Sequence, residues 1–215
     1  MEKPRVISQK DVEAAQDTIK DTGRFVRRDL ETHRRAFGLQ SFDDFAGKKV
    51  LDLGGSFGLT FARELEKAGV DADVVSFSPA FADKATAALT REERTGDKQG
   101  KLMVAGMGEE LPFAENSFDR IVCLSVAEHL GTRERYIAFL QDVVRALAPG
   151  GVAYLSPMIQ EIPGGHRVPA GSVILKEELE KVLGEAATVE WNSFDWPNRK
   201  GGVDTFSNLT LTKKA

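Results

Sequence analysis

Apolar residues recur along the chain in two rhythms, one of helical period and one of strand period, and they alternate. From Gln9 to Phe37 the period is helical, in two pieces broken near Asp21-Thr22-Gly23. Val12, Ala15 and Ile19 share one face of the first piece, and Val26, Leu30, His33 and Phe37 share one face of the second. Lys48 to Leu53 reads as a strand, and a glycine-rich turn follows it. The next helix carries Leu59, Phe61, Ala62 and Leu65 and stops at Ala68-Gly69. Ala72 to Phe77 is a second strand. Ser78-Pro79 then has the chemistry of a helix start, with Phe81, Ala85, Ala88 and Leu89 as the buried stripe.

Residues 90–100 form a polar, charged connection, and Leu102 to Ala105 is the third strand. Arg120 to Leu124 is the fourth, with Cys123 read as a small buried hydrophobe. A loop from Ser125 to Gly131 leads to Thr132, which can cap a helix striped by Tyr136, Phe139, Leu140, Val143, Val144 and Leu147. Pro149-Gly150-Gly151 stops that helix, and Val152 to Ser156 is the fifth strand. A loop to Gly171 precedes a short helix from Lys176 to Leu183. Thr188 to Phe194 and Thr205 to Thr212 are two closing strands, and Thr205, Ser207, Leu209 and Leu211 share a face of the second.

Strands alternating with helices predict a mostly parallel sheet with helices on both faces. The last two strands, joined without a helix, predict an antiparallel hairpin near one edge. The expected fold is therefore α/β, a doubly wound, Rossmann-like sheet of seven strands in which only the strand near Thr205–Thr212 runs against the rest. Residues 41–215 form the α/β domain, and residues 1–40 are a helical segment expected to act as a lid. There is no internal repeat and no linker long enough to divide the chain into two large domains.

Composition narrows the function classes. The chain has 215 residues, of which 41% are hydrophobic and 29% charged, with a net charge of −4. That charge does not favour a general nucleic-acid or anionic-membrane partner. No apolar run approaches the roughly 18 residues of a membrane-spanning helix, and no secretory signal is read, so the expected location is the cytoplasm. A single cysteine rules out an intrachain disulfide and a cysteine-based zinc site, and three scattered histidines give no metal-ligand spacing. Arg24, Arg27, Arg28, Arg34 and Arg35 make the N-terminal segment locally basic. They read either as a solvated helix face or as lid arginines that meet an anionic group. His33, on the apolar face, reads as a packed residue.

The chemistry concentrates at Val50-Leu51-Asp52-Leu53-Gly54-Gly55-Ser56-Phe57-Gly58. A strand, a glycine turn and a helix in succession let a backbone approach a nucleotide-like ligand at a helix N-terminus. Glycine serves there because it has no Cβ to hold the ligand away. In open α/β sheets ligands bind beyond the carboxyl ends of the strands, where the winding reverses. The segments Gly54–Gly58, Ser76–Pro79, Gly106–Glu109 and Ser125–His129 all lie at such ends and should converge on one crevice.

Four stretches in order resemble the class I S-adenosylmethionine-dependent methyltransferases of small-molecule type. Val50-Leu51-Asp52-Leu53-Gly54 is similar to the family's first motif. Glu109-Glu110-Leu111-Pro112-Phe113, followed by Asn116-Ser117-Phe118-Asp119, is similar to the segment before its fourth strand. Val126-Ala127-Glu128-His129-Leu130 matches the loop after that strand, and Leu147-Ala148-Pro149-Gly150-Gly151 matches the turn before the fifth. The resemblance covers about residues 48–157. It implies S-adenosylmethionine over the turn of Gly54, Gly55, Ser56 and Gly58, with Asp52 orienting the turn and the aminoacyl ammonium. It implies a ribose contact at the end of the second strand, at Ser76 and Phe77. Met107, Gly108 and Glu109 would flank the adenine, Ser125 would line the crevice, and Glu128 and His129 would sit near the transferring methyl.

The chain departs from the family pattern at three positions. Ser56 stands where the first motif usually has its second key glycine, Ser76 stands where an acid usually takes the ribose hydroxyls, and Met107 follows Gly106 where an Asp commonly faces the adenine amine. Two charged acceptors are thereby absent, each worth about 1.5–3 kcal/mol. The expected function is methyl transfer to a small metabolite, sugar or lipid precursor, with a small molecule as the partner and a homodimer compatible with the reading. His129 is the candidate general base and reads alternatively as a lining residue, while His166, in a glycine-rich loop, is a candidate substrate contact or a surface histidine. A non-catalytic or regulatory member with a weakened cofactor site is the alternative. A nicotinamide-dependent dehydrogenase is disfavoured, because the turn lacks the Gly-x-Gly-x-x-Gly spacing.

Overall fold

The computed structural model describes residues 30–53, 60–80, 87–90, 101–106, 111, 113–124, 133–158, 176–197 and 202–215. Helices are numbered here as α1 (Leu30–Phe37), α2 (Thr60–Lys67), α3 (Arg133–Ala146) and α4 (Lys176–Leu183), and a 3-10 turn spans Asp43–Phe45. The strands are β1 (Lys49–Leu53), β2 (Asp73–Ala80), β3 (Ala87–Thr90), β4 (Lys101–Gly106), β5 (Phe118–Leu124), β6 (Leu147–Met158), β7 (Ala187–Pro197) and β8 (Val203–Lys213). They form one sheet in the order β3-β4-β2-β1-β5-β6-β8-β7. β4, β2, β1, β5 and β6 are parallel neighbours. β8 runs antiparallel to both β6 and β7.

The doubly wound sheet and its closing hairpin match the sequence expectation. The strand number does not: among the described residues the sheet has eight strands, not seven, and β3 is a second reversed strand. Ala88 and Leu89, expected on a helix, pair with Met103 and Leu102. β4 would otherwise end the sheet with an open row of amides and carbonyls, and pairing overrides the weak helical preference of a short Ala-rich stretch. Ser78 and Pro79, expected to start a helix, continue β2 and pair with Val104 and Ala105. β1 pairs with β2 only as far as Phe77. Beyond that point β2 has one neighbour among the described residues, the setting in which a strand tolerates a proline.

Each face of the sheet buries its own core. Leu51, Leu53, Ile121, Cys123, Ala153, Leu155, Leu209 and Leu211 point to the side covered by α3 and α4, where they meet Tyr136, Leu140, Val143, Leu179 and Leu183. The alternate positions Val50, Val74, Val122 and Leu124 point to the side of α1, α2 and the 3-10 turn. That second core is aromatic: Phe37, Phe42, Phe45 and Phe61 are buried, and Tyr154 packs on Phe37 and Phe45. His33 is buried with its ring 4.9 Å from Phe61 and 5.9 Å from Phe37, the packed role read from its position.

Helix ends follow from local chemistry. α1 and α2 both stop at a glycine with left-handed φ, Gly38 at 70° and Gly69 at 75°. In each, the residue after the glycine donates back to the last turn, Leu39 to Arg34 at 2.9 Å and Val70 to Leu65 at 2.9 Å. α1 is then fastened to the far side of the sheet. The buried Asn208 of β8 donates from Nδ2 to the Ala36 carbonyl at 3.0 Å, and Arg35 donates to the Asp195 carbonyl of β7. Among the described residues, no helix is long and apolar enough to cross a membrane.

Candidate active site at the carboxyl edge of the sheet

Because β1, β2, β4, β5 and β6 are parallel, their carboxyl ends lie along one edge of the sheet. The chain leaves β1 for β2 and β4 on one side and returns to β5 on the other, so the winding reverses at β1. That reversal is where a sheet of this kind opens a crevice. Leu53 sits level with Phe77 on one side and with Cys123 on the other, and Leu124 sits level with Ser156.

Asp52 occupies the penultimate position of β1 and is buried. The glycine-rich segment begins two residues later. Ser76 is the register partner of Asp52 in β2, and Phe77 is the partner of Leu53. Asp52, Ser76 and Phe77 are thus brought together by adjacent parallel strands. Ser76 is an interior position of a strand that continues to Ala80, and only its pairing with β1 ends nearby. Gly54, Gly55, Ser56, Gly58, Met107, Gly108, Glu109, Ser125, Glu128, His129 and His166 lie outside the described residues.

The side of the edge nearest β6 carries polar groups that sequence reading passed over. Leu155 pairs with Leu209 and Met158 with Ser207, so Ser156 and Pro157 together oppose Asn208. This is a β-bulge, and Pro157, having no N–H to give the ladder, belongs at one. Ser156 Oγ and Asn208 Oδ1 are both buried without a hydrogen-bond partner. The available signal was Pro157 within a strand, next to a serine in phase with Tyr154.

Lower on the same face, Arg120 is buried and donates from Nε to Asp44 Oδ2 at 2.9 Å, from Nη2 to the same oxygen at 2.5 Å, and from Nη1 to the Asp119 carbonyl at 2.8 Å. Burial raises the pKa of the neighbouring Tyr154 hydroxyl. Arg120 works in the opposite direction, and Asp44 and Glu190 add to the rise.

On the opposite face, α3 holds the stretch before β5. Asp142 accepts from the Leu111 amide through Oδ2 and from Arg145 Nε through Oδ1, the latter at 2.6 Å. Arg145 donates to the Phe113 carbonyl at 2.6 Å and to the Leu111 carbonyl at 3.0 Å. The Asn116 and Ser117 amides donate to the carbonyls of Arg145 and Ala146, and Asn116 takes a left-handed φ of 58°. The sequence marked Leu111 and Phe113 as motif residues but gave no sign of the side chains that hold them.

Comparison with known proteins agrees with this geometry. The family model described as a methyltransferase domain matches residues 51–155. A protein from Mycolicibacterium vanbaalenii named as an uncharacterized methyltransferase is 36% identical over 126 residues, 57% of this chain but only 44% of the relative. The chain thus spans less than half the length of that relative. A demethylmenaquinone methyltransferase from Corynebacterium urealyticum is 24% identical over 183 residues, 73% of each chain. The N-methyltransferase NodS from Bradyrhizobium japonicum, solved with S-adenosyl-L-homocysteine, shares the fold with a TM-score of 0.57 at 14% identity, over 93% of this chain and 98% of that one. By the match over residues 51–155 and the strand order, about half of the chain is similar to the methyltransferase domain family, and the chain shares the fold of S-adenosylmethionine-dependent methyltransferases.

Proposed function

We propose that the protein transfers a methyl group from S-adenosylmethionine to a small-molecule acceptor in the crevice at the carboxyl edge of the sheet. The observation that carries this reading is the buried Asp52, paired in register with Ser76, at the strand where the winding reverses. A buried carboxylate suits the ammonium of an amino-acid-bearing cofactor, so the described residues fit the group. When bound, S-adenosylmethionine supplies a methyl that leaves sulfur by direct displacement.

The chain's part in that chemistry is orientation and proton handling. Asp52 holds the ammonium end, and the backbone of Gly54, Gly55, Ser56 and Gly58 lets the cofactor approach closely. Ser76 and Phe77 serve the ribose, and Met107, Gly108 and Glu109 flank the adenine. Holding the acceptor atom in line with the methyl can supply much of the rate. His129 takes the proton from an acceptor hydroxyl, with Glu128 beside it, and His166 contacts the acceptor. The N-terminal segment, residues 1–40, is read as a lid over the crevice; of it, the structure describes α1 and the residues after it, with α1 packed on the sheet. The relatives named demethylmenaquinone methyltransferases support an acceptor of metabolite or lipid-precursor size.

Calorimetric titration with S-adenosylmethionine and S-adenosyl-L-homocysteine tests the cofactor. Micromolar binding that weakens at least tenfold in Asp52→Asn is the expected result. No binding by the folded wild-type chain would overturn the reading and favour a non-catalytic member of the family. With an acceptor in hand, His129→Ala should lower turnover by roughly 10²-fold and leave cofactor affinity unchanged.

A further inference from the structure

We propose that Ser156 and Asn208 form a subsite for a neutral hydroxyl group of the methyl acceptor, at the carboxyl end of β6. This rests on the reading above, in which a small molecule is methylated at that edge. Among the described residues, the buried side-chain polar atoms without a hydrogen-bond partner are Ser156 Oγ, Asn208 Oδ1 and Trp191 Nε1. Two of the three meet at one place. Leu155 pairs with Leu209 and Met158 with Ser207, so the bulge sets Ser156 against Asn208. Bulges are common beside active sites, where they re-aim a side chain. Ser156 and Asn208 are each only 2% exposed. Ser156 is level with Leu124, the last residue of β5, so the pair lies at the edge of the sheet and not in its middle.

Both side chains belong to the face covered by α1. Leu155 and Leu209 lie in the core of the other face, and neighbouring residues of a strand alternate. Asn208 shows this directly, because its Nδ2 donates to the Ala36 carbonyl of α1 at 3.0 Å. That bond also fixes the amide. A carbonyl only accepts, so the nitrogen faces Ala36 and Oδ1 is the atom left over. Ser156 Oγ and Asn208 Oδ1 do not bond each other, since each lacks a partner. A hydroxyl between them serves both, accepting from Ser156 and donating to Asn208 Oδ1. A carboxylate cannot donate to Oδ1. A charged group of either sign is disfavoured in a buried place where the ion pair of this face, Asp44 and Arg120, is already closed on itself. Two orphaned polar atoms burden the free protein, and a ligand hydroxyl relieves both at once, as expected of a site kept for binding at the expense of stability.

Phenol and toluene are suitable probes, having nearly the same shape and differing by one hydroxyl. Their affinities for the full chain can be measured by ligand-observed NMR titration. The ratio of phenol to toluene affinity should fall about tenfold in Ser156→Ala. Trp191→Phe removes the third orphaned atom, whose ring packs on the core of the other face, and should leave the ratio within about twofold of wild type. Urea unfolding without a probe supplies the second readout. Ser156→Ala should unfold at or above the wild-type midpoint, so that the hydroxyl is lost to binding and not to the fold. Wild-type protein that binds no phenol, a ratio unchanged in Ser156→Ala, an equal fall in Trp191→Phe, or a lowered midpoint in Ser156→Ala would each overturn the subsite. Titration with S-adenosyl-L-homocysteine keeps the two readings apart. Its affinity should be the same in wild type and Ser156→Ala. Wild-type protein that binds none would overturn the methyl-transfer reading, and the phenol and toluene ratios would still decide whether Ser156 and Asn208 receive a hydroxyl.

Discussion

Cutting the N-terminal segment at two different points should give two different outcomes. Removal of residues 1–29 leaves α1 and its contacts in place, whereas removal of residues 1–38 takes away Ala36 and Phe37, both 3% exposed, together with the buried His33. Phe37 alone packs its ring against Tyr154 at 6.1 Å and against His33 at 5.9 Å. Replacing a buried phenylalanine by alanine costs about 3–5 kcal/mol. A chain of this kind has a total stability of roughly 5–15 kcal/mol, so Phe37→Ala consumes a large share of it. At about 2–4 °C per kcal/mol for a chain of this size, the melting midpoint of Phe37→Ala should fall by roughly 6–20 °C. The 1–38 deletion should fall further, because it also removes the Ala36 carbonyl that Asn208 caps and uncovers the faces of Phe61 and Tyr154. Urea and thermal unfolding, run beside calorimetry with S-adenosyl-L-homocysteine, separate the two cuts. The 1–29 deletion should keep its midpoint and lose affinity if those residues close the crevice. A 1–38 deletion with the wild-type midpoint would refute the assignment of α1 to the core, and undiminished affinity after the 1–29 cut would refute the lid.

The ion pair of Arg120 and Asp44 should respond unequally to loss of either partner. Asp44→Ala strands a guanidinium that is only 10% exposed and should cost about 1–3 kcal/mol in urea unfolding, whereas Arg120→Met leaves Asp44, 59% exposed, to water and should cost less. Tyr154 has its pKa raised by burial, so the folded state holds its proton longer than the unfolded state does. The stability that this contributes is fully present below the ordinary tyrosine value near ~10. It is lost as pH rises through the folded value, and Tyr154→Phe should flatten that alkaline loss in urea midpoints measured between about pH 8 and 11. Ser156→Ala removes a buried hydroxyl without a partner, and it should leave stability unchanged or raise it by up to about 1 kcal/mol, measured the same way.

The fold was legible because its signals are local and repeated. Short apolar runs such as Lys49–Leu53 and Phe118–Leu124 sit between helices whose stripes, Tyr136, Leu140 and Val143 among them, recur at helical spacing. The glycine stop at Gly69 marked an end that the backbone confirms with left-handed φ, whereas Pro149-Gly150-Gly151, read as the stop of the next helix, lies within β6: α3 ends at Ala146, and Leu147, read on its stripe, pairs with Phe118. Ala87–Thr90 was misread because four residues of weak preference take their state from the neighbour they pair with, and the open side of β4 is nowhere in the local sequence. Ser78-Pro79 misled for a related reason. The same pair that can start a helix can also extend a strand that has lost one neighbour.

The candidate site divides along the same line. Asp52 was singled out because strand and turn adjoin it in sequence, and its register with Ser76 follows once β1 and β2 are parallel. Arg145 and Asp142 could not be found that way, since they act on Leu111 and Phe113 from more than thirty residues downstream through backbone atoms that any side chain could carry. The bulge at Ser156 and Pro157 is likewise defined by its partner Asn208 rather than by its own neighbours. What the sequence spells out is therefore the cofactor side, built from contiguous strand-and-turn motifs. The side chains that hold Leu111 and Phe113, and the bulge beside β6, come from long-range pairings. Specificity for the acceptor should accordingly track substitutions around β6 and β8 more closely than substitutions within residues 50–58. An acceptor screen across both sets of variants would show it, and a screen in which only the 50–58 set changed acceptor preference would refute it.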